Sequence, residues 1–280
     1  MTPAGWDLVG DATIDDPRLA PFRDLTDVDL RRRLEPEGGY FMAEGMLVIE
    51  RAVRRGLEVE AVLTSRKWLD RLAEPLAKWR GPVFVADDDQ LLQLTGYRVH
   101  RGALAQVRRP QPRAIEDLLH VDGHVLVLED LVDHTNVGLA FRSAAALGMR
   151  GVVLSPGCAD PLYRRSIKTS MGAVLDLPWA TAQDWSGCLA ALTQQRSLIA
   201  LTLAPDAIPL EVAIRDRSRP HVALMAGSEG PGLSRTAIAA AERSARIPMD
   251  GGIDSLNVAA AVAVACYAVR MTTVSSDAWP

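Results

Sequence analysis

The chain has 280 residues, 48% of them hydrophobic and 24% charged, with a net charge of −4 and a pI near 5.8. That balance excludes a disordered or fibrous chain and leaves room for two globular domains, each with its own core. Three scattered cysteines, Cys158, Cys188 and Cys266, form no CxxC pair, which argues against a structural zinc site or a disulfide framework and fits a reducing cytoplasmic setting.

In chain order, residues 1–26 read as an irregular leader carrying Pro3, Pro17 and Pro21, with no apolar run of a signal sequence. Residues 27–107 read as a small α/β domain. The apolar positions Met46, Leu47, Ile49 and Val53 predict a helix over Ala43–Arg55, ended by Gly56. Val59–Leu63 predicts a strand, Ser65 opens a helix, Pro82–Ala86 is a second strand, and Asp87 to Asp89 start another helix. Ala103–Val107 closes the domain, and residues 108–118, with Pro110 and Pro112, form a linker. Residues 119–275 then read as a second α/β domain. Val125–Glu129 is a near-continuous apolar strand, the mark of a parallel sheet covered on both faces. A helix over Val137–Leu147, strands at Gly151–Leu154, Leu198–Leu203 and His221–Ala226, and a last helix over Ser255–Arg270 complete it. The Ala- and Val-rich stretch from Leu256 to Val269 is too short and small-sided for a membrane span.

The acidic total counts against a protein that binds nucleic acid over its whole surface. Its cations are clustered, however: Arg31 to Arg33; Arg98, Arg101, Arg108, Arg109 and Arg113; and Arg164, Arg165 and Lys168. Local patches of this kind bind phosphates, and Arg98, Arg101, Arg108 and Arg109 are the candidate RNA contacts. His100, His120, His124, His134 and His221 lack metal-ligand spacing, so no metal is expected.

Three segments carry the chemistry. The first is Asn136-Val-Gly-Leu-Ala-Phe-Arg142 after a buried strand, where Asn136 or Thr135 can cap a helix and the carboxyl edge of the sheet can gather ligands. The second is Gly227-Ser-Glu-Gly-Pro-Gly-Leu-Ser234, again after a strand. It lacks the Lys of a P-loop and the spacing of a dinucleotide fingerprint, and it carries the carboxylate of Glu229. An acid there suits a neutral or cationic ligand better than a phosphate. The third is Ile247-Pro-Met-Asp250 followed by Ser255-Leu-Asn257 at the head of the last helix. Ser255 is a natural cap, while Asn257 needs a polar partner if it is buried. The absence of a GxGxG turn after Val125–Glu129 counts against a doubly wound methyltransferase or dehydrogenase.

In order and spacing these segments resemble the SpoU family of RNA 2′-O-methyltransferases, within the trefoil-knotted methyltransferases, over roughly residues 120–272. The stretch from Lys168 to Val174, ending in Leu177-Pro178, resembles the family's segment between the first and second motifs. Residues 25–108 are more loosely similar to the substrate-binding domain that many members carry. Asp254, Ala259 and Ala260 depart from the family's usual residues around its third motif. The resemblance implies an N-terminal RNA-binding α/β domain and a C-terminal, mostly parallel open sheet with a deep trefoil knot. It implies S-adenosylmethionine as cofactor, rRNA or tRNA as substrate and a homodimer paired through the C-terminal domain. It also implies that Arg142 activates the ribose hydroxyl, with Asn136, Glu229, Ser255 and Asn257 around it. The cofactor would lie against Thr202, Gly227, Ile247, Met249 and Leu256. The competing expectation is an inactive RNA-binding protein that keeps the knotted scaffold.

Overall fold

Short buried strands alternate with helices along the chain and assemble into two sheets. A computed structural model describes residues 6–10, 13–99, 102–250 and 255–272; Arg101, His100 and Asp254 lie outside the described residues. The elements begin with β1 (Asp7–Val9), α1 (Val28–Glu37), β2 (Tyr40–Glu44), α2 (Met46–Arg54), β3 (Val59–Thr64), α3 (Leu69–Ala73), β4 (Pro82–Val85), α4 (Asp88–Thr95) and β5 (Ala103–Arg108). Then come α5 (Ile115–Leu119), β6 (Val125–Glu129), α6 (His134–Ala146), β7 (Gly151–Leu154), α7 (Arg164–Thr169), β8 (Trp179–Thr181) and α8 (Trp185–Gln195). The chain continues through β9 (Ser197–Leu201), β10 (Ile208–Pro209), α9 (Leu210–Arg215), β11 (Val222–Gly227), α10 (Arg235–Ala240), β12 (Arg243–Arg246) and α11 (Val258–Met271).

One compact unit comprises Met1–Gln111 together with Leu162–Leu175. Its sheet has the order β1-β4-β3-β5-β2, with β1, β4 and β3 mutually parallel and β5 antiparallel to its neighbours. The described part of the stretch expected as a leader contributes to this sheet and its core: β1 pairs with β4, and Leu19, Phe22 and Leu25 are buried. The helix expected over Ala43–Arg55 is shorter. Tyr40–Glu44 is a strand buried at every position, and Gly45, at φ 95°, turns the chain into α2. Burial on both faces removes the polar–apolar alternation that would have marked this strand.

Two of the basic clusters lend part of their charge to internal contacts. Arg31 is only 2% exposed and donates to the Pro21 carbonyl at 2.9 Å and to the Tyr40 hydroxyl at 3.3 Å. Glu44, on β2, accepts from Arg164 at 2.7 Å, from Lys168 at 2.6 Å and from the Tyr97 hydroxyl at 3.1 Å. The Arg164 guanidinium also lies over the Tyr97 ring at 4.7 Å. Burial alone would raise the Glu44 carboxyl, but the Lys168 hydrogen bond and the Arg164 charge outweigh it and hold the group below the usual carboxylate value.

The other unit, Pro112–Pro161 and Asp176–Pro280, holds a seven-stranded sheet of order β10-β12-β9-β11-β6-β7-β8 in which every pairing is parallel. β6 and β7 are buried at every position, as strands covered on both faces must be. α11 packs on α6, β11 and α9, and its small residues allow close approach. Before the amino ends of β6 and β11, His124 and His221 meet edge-on at 5.6 Å. Burial and the neighbouring His221 push His124 down to about 4 from the ordinary 6.5. Burial likewise pushes the Cys188 and Cys266 thiols up, to about 11 and about 12, so both behave as small core residues. Among the described residues, no helix is long and apolar enough to cross a membrane, and no cluster of His, Cys, Asp and Glu could hold a metal.

Candidate active site

A parallel sheet places its loops at the carboxyl ends of its strands, where ligands bind in open α/β folds. Beyond the ends of β9, β11 and β12 lies a cavity of about 670 Å³, within the range of small-ligand sites. Thr202, Gly227, Ile247, Met249 and Leu256, the expected cofactor residues, all line it. So do Glu229, Ser255 and Asn257. Asn136 and Arg142 do not line the cavity.

The glycine-rich loop folds back on itself: Gly232 donates its N–H to the Ser228 carbonyl at 3.0 Å. A Cβ on Gly227 would fall 2.3 Å from the Gly232 carbonyl carbon, so only glycine fits there. Gly230 and Gly232 take φ of 95° and 70°, the left-handed region that glycine enters without strain. The far end of the loop is tied to the sheet by Glu129, a buried carboxylate at the end of β6. Glu129 accepts from the Ser234 N–H and hydroxyl, both at 2.7 Å, and from the Trp185 indole at 2.5 Å. Sequence reasoning missed this residue. The available signal was a carboxylate closing an otherwise apolar strand.

Capping differs from expectation at two helices, and both differences release polar groups toward the loop. Asp133, not Asn136 or Thr135, caps α6, accepting from the Thr135 and Asn136 N–H groups. The Asn136 side chain is then free to donate to Glu229 Oε1 at 3.1 Å. Asn257, not Ser255, caps α11, its Oδ1 accepting from the Ala259 and Ala260 N–H groups. Its Nδ2 donates to Glu229 Oε1 at 2.6 Å and to Asn136 Oδ1 at 3.0 Å. Two asparagines thus hold one carboxylate in place, and among the described residues no cation pairs with Glu229. Its negative charge remains available to a cationic ligand.

Arg142 lies six residues beyond Asn136 on α6, about 9 Å further along the axis and on another face. It is exposed and has no ion pair or hydrogen bond among the described residues. Of the expected RNA contacts, Arg108 is engaged by Glu58 at 3.0 Å and Glu60 at 2.9 Å, and Arg109 donates to the Tyr40 carbonyl. Arg98 is exposed and unpaired among the described residues.

Residues 123–267 match the model of the SpoU rRNA Methylase family. The chain belongs to that family. It is 39% identical over 266 residues, 95% of this chain and 92% of the relative, to an uncharacterized tRNA/rRNA methyltransferase of Mycobacterium bovis. It is 32% identical over 228 residues, 79% of this chain and 90% of the relative, to the 23S rRNA (guanosine-2′-O-)-methyltransferase RlmB of Xylella fastidiosa. Its structure matches AviRb, a SpoU methyltransferase of Streptomyces viridochromogenes solved with AdoMet, at TM-score 0.73 and 25% identity, covering 90% of this chain and 98% of that one. By family, then, this is an RNA methyltransferase enzyme, with a mixed α/β fold that includes a parallel sheet.

Proposed function

We propose that the protein transfers a methyl group from S-adenosylmethionine to a ribose 2′-hydroxyl of structured rRNA or tRNA. The observation that carries this reading is the cation-free Glu229 carboxylate, fixed by Asn136 and Asn257 at a cavity of about 670 Å³. A sulfonium cofactor suits that charge, as a phosphate would not. AviRb was solved with the same cofactor, and RlmB of Xylella fastidiosa is named for guanosine 2′-O methylation.

S-adenosylmethionine supplies an electrophilic methyl group, and the chain supplies its placement. Thr202, Gly227, Ile247, Met249 and Leu256 enclose the cofactor, and Glu229 sets the charge near it. The attacking hydroxyl must meet the methyl carbon in line and become more anionic as it does so. A guanidinium is a poor base but a strong electrostatic stabiliser of a developing alkoxide, and that is the role given to Arg142. Ser255, exposed at the cavity, binds the target nucleotide.

The active protein is a homodimer through this unit. Val264, Tyr267 and Met271 form one stripe of α11 and stand 44%, 49% and 48% exposed, the kind of apolar stripe that an isologous interface covers. A deep trefoil knot around α11 and a cytoplasmic location complete the proposal. The alternative, an inactive RNA-binding scaffold, is disfavoured by the intact Asn136, Glu229 and Asn257 network.

The test is mass-spectrometric mapping of ribose methylation in rRNA and tRNA from cells with and without the gene. The expected result is loss of a 2′-O-methyl mark at one or a few sites, restored by the wild-type gene and not by Arg142→Ala. An unchanged set of marks contradicts the proposal.

A further inference from the structure

Both ends of the glycine-rich loop converge on one residue that does not line the cavity. In the ladder between β11 and β6, Gly227 stands beside Glu129. Gly227 is where the loop leaves β11, and Ser234 is where it enters α10. Glu129 Oε2 accepts from the Ser234 N–H, and Oε1 accepts from the Ser234 hydroxyl and the Trp185 indole. The Ser234 oxygen in turn accepts from the Ala237 N–H at 3.1 Å, so the hydroxyl is fixed in orientation.

Glu129 is only 3% exposed, and among the described residues no cation pairs with it. Burying a carboxylate is costly unless its oxygens are hydrogen-bonded, and a well-packed apolar side chain would fill the same place at lower cost. The carboxylate therefore does what packing alone would not. Its two oxygens fix the N–H and the hydroxyl of Ser234 together, and so set the base of the loop. Glu229 lies within that loop and meets Asn136 and Asn257 on its open side. A similar pair stands at the other end of the sheet, where Glu242, just before β12, accepts from the Ser218 N–H at 2.9 Å and hydroxyl at 2.7 Å. Glu242 has the same kind of contacts but lies before the amino end of its strand, whereas the cavity lies beyond the carboxyl ends.

We propose that Glu129 is a positioning residue for the cofactor's charge: it fixes the base of the glycine-rich loop and so holds Glu229 where a sulfonium meets it. The inference rests on the S-adenosylmethionine reading and adds to that site a residue from outside the cavity.

The test is calorimetry of the full chain with S-adenosylmethionine and with S-adenosylhomocysteine. The second ligand lacks the methyl group and, with it, the positive charge, so the ratio of the two affinities reads the charge that the loop presents. Glu129→Gln keeps the side-chain shape. Each carboxylate oxygen faces an N–H, of Trp185 or of Ser234, so the amide sets its own NH2 against a donor in either orientation. The ratio shifts about fivefold toward S-adenosylhomocysteine in Glu129→Gln and about tenfold in Glu229→Gln. The double variant shifts it no further than Glu229→Gln alone, because one residue acts through the other. Glu242→Gln lowers Tm and leaves the ratio within about twofold of wild type. Ser234→Ala removes only the hydroxyl partner, shifts the ratio about threefold in the same direction, and replaces Glu129→Gln if that variant does not fold. A folded Glu129→Gln with the wild-type ratio, its Tm alone lowered, overturns the inference, as does Ser234→Ala with that ratio where it stands in. Fully additive shifts in the double variant, or an equal shift from Glu242→Gln, overturn it too. Wild type that binds neither ligand contradicts the S-adenosylmethionine reading itself, whereas wild type that binds both, with a ratio unmoved by the loop-base variant, contradicts only this inference.

Discussion

Glu44 and Glu229 are both carboxylates that follow or end a buried strand, and the two units use them in opposite ways. Glu44 sits among Arg164, Lys168 and Tyr97, and its charge is matched inside the first unit. Among the described residues, Glu229 is held only by the amides of Asn136 and Asn257. A carboxylate matched by cations holds structure together, whereas one oriented by neutral donors keeps its charge for something else. The same contrast separates the arginines: Arg31 and Arg164 are buried in hydrogen bonds, while Arg142, Arg66 and Arg98 are exposed. The partners of a charged group, more than its place in a sequence cluster, decide its work.

The largest expected effect falls on the exposed arginine of that contrast. Arg142→Ala should abolish methyl transfer while calorimetry shows cofactor binding within about twofold of wild type. Glu229→Gln keeps the shape and removes the charge. It should weaken S-adenosylmethionine binding about tenfold or more with little change in Tm. Glu44→Ala inverts the pattern: it strands Arg164 in a partly buried position and should cost about 3 kcal/mol in denaturant unfolding, with cofactor affinity unchanged. Asn257→Ala stands between the two, losing about 1 kcal/mol of capping as well as cofactor affinity.

The smallest effects concern pH. Glu44 titrates below its unfolded value, so its stabilisation is complete above that value and is lost as pH falls through the folded one. His124, at about 4 in the folded state against 6.5 ordinarily, binds protons more readily when unfolded. Its contribution is therefore full above about 6.5 and declines toward 4. Stability from urea unfolding should fall with acid between those values in the wild type and fall less in His124→Gln, and an equal pH dependence in the two would show that His124 does not contribute.

Much of the seven-stranded sheet was legible in the sequence, because β6, β7 and β11 are apolar runs bounded by turns. β12, which lines the cavity edge, was not: Arg-Ser-Ala-Arg buries only Ala245 and shows no periodicity. β2 was hidden by its burial on both faces, and β1 by the prolines around it. The motif residues around the cavity were legible, but their roles were not. Asn257 caps α11 in place of Ser255, since either residue type can cap and only the local backbone chooses. Glu129 was invisible as an anchor because Ser234, its partner, lies 105 residues away.

If the cation-free Glu229 carboxylate marks a sulfonium site, one calorimetric comparison reveals it. S-adenosylmethionine is titrated into wild type, Glu229→Gln and Glu44→Gln. Wild type and Glu44→Gln should bind saturably, and Glu229→Gln about tenfold or more weakly. Equal affinity in wild type and Glu229→Gln, or no binding to wild type at all, would contradict it.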